Sequence, residues 1–391
     1  MINSRNYTLD LIRGVSAIIV MAGHLRIALF KDFSELDNAY GASLIAKGFY
    51  FITGLGHQAV MVFFVLSGYF VGGSIIKAKD NFRFKDYLIA RLSRLWTPLF
   101  PILIGTLLID YMTGSISQDI INGNHYMTLN SGPTVDYSSS FGTFISNLLF
   151  LQTIFTPVFG SNGPLWSLAN EFWYYILFPL FMLVIGYIHG NWIKKIISFL
   201  VTFCIFSFIS FDMIQGFFIW VMGVGVYFVA GKKLIVPKPW FIVSTLSLFV
   251  FALADSKFKF IGDTYGDYSD IMVGISFSMF LIGVIRLQLP DFKFLNLKKI
   301  SFWISEVSYT LYISHFPLVL LIYGLFYSNN QLTFGIGNNI QFICWLILLL
   351  AQSTVLWYVF ERNTPYVRNK LKILLKENFL GRLALFLRRS I

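Results

Sequence analysis

The sequence predicts an all-α fold, a polytopic transmembrane helical bundle of about ten spans with both termini cytoplasmic, and three observations carry that expectation. Of 391 residues, 56% are hydrophobic and only 13% charged, against about 25% charged in ordinary soluble domains. The mean hydropathy is +0.69. Apolar runs recur along the whole chain, and its length suffices for about ten spans of roughly 20 residues with short connections.

The first run, Leu9 to Phe30, carries Asp10, Arg13 and His24. A lipid-facing charge there would cost roughly 2.5–3.5 kcal/mol, so these groups must face protein or a cavity. Eleven helical residues are three turns plus about 20°, which sets Arg13 and His24 on one face about 16 Å apart. Asp10 joins that stripe. A polar cluster that only holds helices together gives the same pattern; a stripe linking the two compartments gives it a use. The run is long and lacks a small-residue cleavage site, which predicts a retained span rather than a signal peptide.

Further spans are expected near 57–76, 96–113, 164–188, 195–211, 213–230, 240–255, 269–287, 302–327 and 339–360. The connection RFKDYLIARLSRLWTP ahead of the third places Arg91 and Arg94 one turn apart, just before Pro98. Guanidinium forks at that spacing suit either the phosphates of a cytosolic donor or lipid headgroups. The segment FGTFISNLLFLQTIFTP at 141–157 is too short and irregular for a span and reads as re-entrant or interfacial.

Gly163-Pro164 opens the fourth span, since proline is tolerated at a helix start. Seven residues further, Glu171 would lie about 10 Å deep, a depth comparable to that of His24 at about 9 Å. A carboxylate and an imidazole at one level make a candidate acid–base pair; Glu171 could equally satisfy an arginine or backbone. Trp166 fits an interfacial aromatic belt or a sugar-stacking surface. His315, beside Pro317 in the ninth span, either lines the same cavity or bonds a carbonyl freed by the proline.

Charge tests this topology. The connections around 77–94, 194–195, 232–238 and 286–299 and the tail after 361 hold most Lys and Arg, whereas residues 112–163 hold none. That asymmetry fits the positive-inside rule with ten spans and accounts for the net charge of +11, leaving no reason to invoke nucleic acid. Cys204 and Cys344 lie in apolar runs, with neither a disulfide framework nor a metal-type Cys/His spacing. Residues 1–361 form the predicted membrane domain. Residues 362–391 read as a basic amphipathic tail on the anionic inner leaflet, with Leu371, Leu374, Leu375, Phe379, Leu383 and Phe386 on one face.

Five segments together resemble the membrane-bound acyltransferase-3 family: LDLIRGVSAIIVMAGH at 9–24, VMVFFVLSGYF at 60–70, RLSRLWTP at 91–98, GPLWSLANEFWYY at 163–175 and SYTLYISHFPL at 308–318. Their order and spacing carry the resemblance across essentially the whole chain. It implies that Arg13 and His24 form the family's arginine–histidine motif, with His24 catalytic, and that Arg91 and Arg94 serve the acyl-coenzyme A side. Glu171 matches the acid of the Trp-Ser-x-x-x-Glu segment that begins at Trp166.

The implied activity is O-acyl transfer, with acetyl-coenzyme A as cytosolic donor and a hydroxyl of an extracytoplasmic glycan or its lipid-linked precursor as acceptor. O-antigen, capsule or exopolysaccharide would supply the glycan, at the bacterial cytoplasmic membrane, with no permanently bound cofactor. No extra hydrolase-like domain follows the spans, which makes direct transfer the simpler expectation. On these assignments Arg13, Arg91, Arg94, Asp10, His315 and Trp166 contact substrates, and His24 with Glu171 does the chemistry. A permease for a lipid-linked sugar or small anion is the alternative reading of a polar intramembrane stripe.

Overall fold

The computed structural model describes residues 6–35, 43–125, 129, 136–231, 239–261, 266–287, 297–328 and 330–375. The basic connections 232–238 and 288–296 and the tail beyond 375, with Phe379, Leu383 and Phe386, lie outside the described residues. No β-strand occurs among the described residues, only isolated bridges.

Helix α1 (Tyr7–Leu29) starts ahead of its apolar run because the Asn6 side chain accepts from the backbone N–H groups of Thr8 and Leu9 at 3.1 and 3.3 Å. Helix α2 (Leu44–Thr53), capped by Ser43, is an apolar helix of ten residues, too short to cross a bilayer. Helix α3 (Gly56–Ser67) continues through a π-turn at Gly68–Gly72 into α4 (Gly73–Ala78). Next come α5 (Phe84–Ile116), α6 (Gln118–Ile121) and α7 (Phe141–Leu148). The chain continues through α8 (Trp166–Val184), α9 (Trp192–Phe208), α10 (Phe211–Gly231), α11 (Pro239–Phe258), α12 (Gly266–Leu287), α13 (Leu297–Phe326) and α14 (Ile336–Val359).

Among the described residues, nine helices are long and apolar enough to cross a membrane. This makes the chain a multi-pass membrane protein. At 17 residues α9 falls just short of the rest, yet its neighbours show that it also crosses the bundle. Helix α10 runs parallel to α3. Gly68 sits against the backbone of Trp220, Gly72 against Val224, and Gly73 against Tyr227. Helix α8 runs the same way, since the Tyr174 hydroxyl donates to the Met213 carbonyl at 2.8 Å and Glu171 and Tyr175 lie level with Ser67. Two consecutive parallel helices require α9 to return between them, which brings the crossings to the expected number.

The contact between α3 and α10 depends on glycine. A Cβ at Gly68 would collide with the Trp220 carbonyl, and one at Gly223 with the Val65 carbonyl. That approach brings the Trp220 indole N–H to the Ser67 hydroxyl at 3.1 Å. The central pair is α1 and α13, which run parallel: Ser305 donates to Asp10 at 2.9 Å, Gly14 faces Ile304, and His24 meets His315 further along. Helix α13 is buried over most of its length.

Residues 141–162 enter and leave on the side where α5 ends and α8 begins, as a re-entrant segment must. The Trp96 indole donates to the Leu148 carbonyl at 2.7 Å and the Trp173 indole to the Phe150 carbonyl at 2.9 Å, which fixes the depth of the dip. Irregular backbone at that depth survives only where protein groups satisfy it. Asn147, Gln152 and Asn162, all fully buried, do so. Asn147 donates to the Thr143 carbonyl and accepts from the Phe159 N–H, while Gln152 donates to the Leu165 carbonyl.

Asn162 also resolves the question raised by Pro317. A helical proline strips the N–H partner from the carbonyl four residues earlier, here Ile313, and the Asn162 amide supplies the missing donor at 2.8 Å. Asn162→Leu is therefore expected to destabilise the protein by about 1–3 kcal/mol, the cost of leaving a buried acceptor unsatisfied. A lower unfolding temperature of the purified variant in detergent would register it.

One boundary differs from expectation. Helix α5 begins at Phe84 and runs unbroken through Pro98 and Pro101, so Arg91 and Arg94 lie inside a span-length helix rather than in a connection before it. Phe82 and Tyr87 pack on one another at its start, with ring centroids 5.4 Å apart, and anchor the extra turns.

Candidate active site

Two cavities meet inside the bundle. The basic cavity, about 550 Å³, lies at the end where α1, α5 and α13 start and α14 finishes; Arg13, Arg91, Arg94, Arg362 and Arg368 line it with Glu171, Glu306 and Glu361. Five arginines against three glutamates leave it positive. The histidine cavity, about 650 Å³, lies at the opposite end and is lined by His24, Arg26, Asp32, Tyr50, His57, Trp166 and Lys257, among others. Val60 and Tyr312 line both. Tyr312, 8% exposed, is held across the junction by a 2.6 Å hydrogen bond between its hydroxyl and that of Ser167.

His24 is set by α13. Its Nδ1 lies 2.8 Å from His315 Nε2, with the two rings edge to edge and nearly coplanar (centroids 5.1 Å apart, planes 14° apart), and Phe316 packs against it in a T at 4.9 Å. The other nitrogen of His315, Nδ1, lies 2.8 Å from the Leu311 carbonyl. A carbonyl only accepts, so His315 Nδ1 carries the proton and its Nε2 is a lone-pair acceptor. His24 Nδ1 must then donate, which leaves His24 Nε2 with the free lone pair. Three groups in series thus fix the tautomer that a general base requires. His315 is fully buried and lines neither cavity, so its position is that of a support behind His24.

The expected pairing of His24 with Glu171 is not formed. Helix α8 begins at Trp166 beside the histidine cavity, so Glu171 lies more than a turn further along, past the junction, and faces the basic cavity. Its Oε1 accepts from the Ser67 hydroxyl at 2.8 Å and closely from the Tyr175 hydroxyl. The Tyr175 ring in turn lies 5.9 Å from the Arg91 guanidinium, whose Nε is buried without a hydrogen-bond partner. Arg94 lies 3.9 Å from Glu361, whose second oxygen accepts from Thr310 at 2.5 Å. Arg13 stacks over Phe70 at 5.0 Å.

The structure thus gathers Arg13, Arg91, Arg94 and Glu171 at one cavity and His24 with Trp166 at the other. Asp10 lines neither: it is 5% exposed and accepts from Ser305, which makes it part of the α1–α13 contact. Trp166 stacks at 6.1 Å on His57, itself 2.7 Å from Asp270. Sequence reasoning passed over Tyr312, Ser67, Ser167 and Glu361. Tyr312 had a usable signal, one turn before His315 on the same helix; Glu361 had only its place directly after the last apolar run.

The structure thus defines a membrane-embedded helical bundle with a cationic chamber and a hydrogen-bonded histidine pair on opposite sides of one junction. The chain belongs to the acyltransferase-3 family, whose model, described as an acyltransferase domain, matches residues 6–362. It is 31% identical over 172 residues to the acyltransferase MdmB of Streptomyces mycarofaciens, a match covering 43% of this chain and 37% of that protein. It is also 30% identical over 146 residues to the putative peptidoglycan O-acetyltransferase YrhL of Bacillus subtilis (strain 168), covering 34% of this chain and 20% of that protein. The matched stretch thus spans less than half the length of either relative. No solved structure matches the chain.

Proposed function

We propose that the protein transfers an acetyl group from cytosolic acetyl-coenzyme A to a hydroxyl of an extracytoplasmic glycan, at the bacterial cytoplasmic membrane. The observation that carries this reading is the meeting of two cavities at Tyr312, one rich in arginine and the other holding a histidine with a free Nε2. The basic cavity takes the donor, with Arg13, Arg91 and Arg94 facing its phosphates; guanidinium groups suit phosphate oxygens in strength and geometry. The thioester extends to the Val60–Tyr312 junction. The acceptor enters the histidine cavity from outside.

There His24 Nε2 takes the hydroxyl proton as the oxygen attacks the thioester carbonyl. The carbon–sulfur bond breaks, and the imidazolium returns its proton to the departing thiolate. Throughout, His24 Nδ1 keeps donating to His315, which stabilises the charged ring. Glu171 acts by position: it holds Tyr175 under the Arg91 side chain. Apolar walls at Val60 and Phe63 keep water from the thioester and limit its hydrolysis.

The test uses membranes containing the protein, labelled acetyl-coenzyme A and surface polysaccharide from the producing cells. Label in the polysaccharide, with the mass gain of one acetyl group per modified residue, is the expected result; solute movement without consumption of the thioester would instead identify a permease. Arg91→Ala should raise the KM for acetyl-coenzyme A about tenfold, equivalent to about 1.4 kcal/mol of lost phosphate contact, with little change in kcat. Initial rates against donor concentration would show the split.

A further inference from the structure

The histidine cavity contains a cation that the proposed reaction does not use. Arg26, two residues after His24, is 9% exposed, yet its side chain forms no ion pair or hydrogen bond with any described residue. Its Nε is buried without a hydrogen-bond partner, its guanidinium lies over the Tyr50 ring at 5.2 Å, and the Asp32 carboxylate acts on it through space. Burying an unpaired guanidinium costs several kcal/mol unless something completes its hydrogen bonds. Lys257 lines the same cavity and makes no ion pair among the described residues.

The carboxylates nearby are shared: Asp32 acts on Arg26 and Asp270 on Lys257, yet both already hold other partners. Asp32 lines the cavity too, but it accepts from the backbone N–H and the hydroxyl of Ser34 at 3.0 and 2.8 Å. The backbone bond from Ser34 holds its carboxyl below the usual range. Asp270 is engaged by His57. Among the described residues, two cations therefore line this chamber with one carboxylate, Asp32, and its aromatic walls are Phe33, Tyr50, Trp166 and Tyr312.

We propose that the acceptor carries an anionic group, a carboxylate or a phosphate, seated between Arg26 and Lys257 while its reacting hydroxyl meets His24. This rests on reading the histidine cavity as the acceptor site. Residues two apart on a helix differ by about 3 Å along its axis. The anionic group therefore belongs to the sugar that is acylated or to the one next to it. The substrate class narrows to acidic glycans: uronic acids, sugars bearing acidic ether substituents, or sugar phosphates.

Purified protein in detergent, titrated with glucuronate, glucose 6-phosphate and glucose and followed by thermal shift, tests the proposal without any donor. A failure here is thereby distinguishable from a failure of acetyl transfer. One of the two anions should half-saturate the shift at a concentration at least tenfold below that for glucose, and which one does so assigns carboxylate or phosphate. Arg26→Gln should weaken that anion about tenfold and leave glucose unchanged. Lys257→Gln, at a more exposed position, should act the same way and serves if the Arg26 variant fails to fold. Equal responses to anions and glucose, or an anion response that survives in the folded variants, would overturn it.

Discussion

His24→Ala is expected to lower acetyl transfer by about 10²–10⁴-fold, the usual worth of a positioned general base, while the KM for acetyl-coenzyme A stays within about twofold. The reasoning is geometric. His24 lines only the histidine cavity, and the arginines that face the donor lie beyond the Val60–Tyr312 junction. Removing the imidazole therefore takes away the proton acceptor without touching the donor's phosphate partners. The ring edge of His315 and the ring of Phe316 would be left against a void, so the variant is also expected to lose some stability, up to about 2 kcal/mol. Retained donor binding, read by titration with a non-hydrolysable coenzyme A thioether, separates loss of chemistry from loss of fold. A variant that keeps wild-type kcat would refute the assignment of His24.

What the sequence disclosed about this site, and what it hid, follow one rule. Axial position along a helix is countable from the residues; rotation about the axis and the identity of the facing helix are not. The stripe of Arg13 and His24 was legible because it lies within one helix, and the structure does place the two side chains at successive cavities. That 141–157 would not form a span was legible from length and pattern, and its helix runs for only eight residues. The partner of His24 was not, because His315 lies 291 residues away and pairs with it only through the parallel packing of α1 on α13. Depth counted from Gly163 brought Glu171 level with His24, but α8 begins beside the histidine cavity, so Glu171 lies more than a turn further along, at Ser67 and Tyr175. Pro98 suggested a helix start and instead sits inside α5, whose first turns are held by aromatic packing rather than by backbone bonds alone.

The hydrogen-bond chain behind His24 makes the second large prediction. His315→Leu should reduce kcat about 10²-fold, the upper range for removing a group that orients a catalytic ligand or base, with the donor KM unchanged because His315 lines neither cavity. Leucine offers no acceptor, so a proton on His24 Nδ1 would be buried without a partner at a cost of about 1–3 kcal/mol. The ring avoids that cost by carrying its proton on Nε2, where it blocks the lone pair that must receive the hydroxyl proton. His315→Gln has a carbonyl oxygen that can accept from His24 Nδ1 in place of the imidazole nitrogen, and it should recover about tenfold of the lost rate. A purely structural role for His315 predicts otherwise: leucine, which fills the apolar space beside Phe316, would then be tolerated at least as well as glutamine. Measuring kcat, donor KM and unfolding temperature for the two variants side by side decides between these roles. A higher rate for the leucine variant, or equal rates for both, would remove the tautomer argument on which the assignment of His24 Nε2 as the base depends.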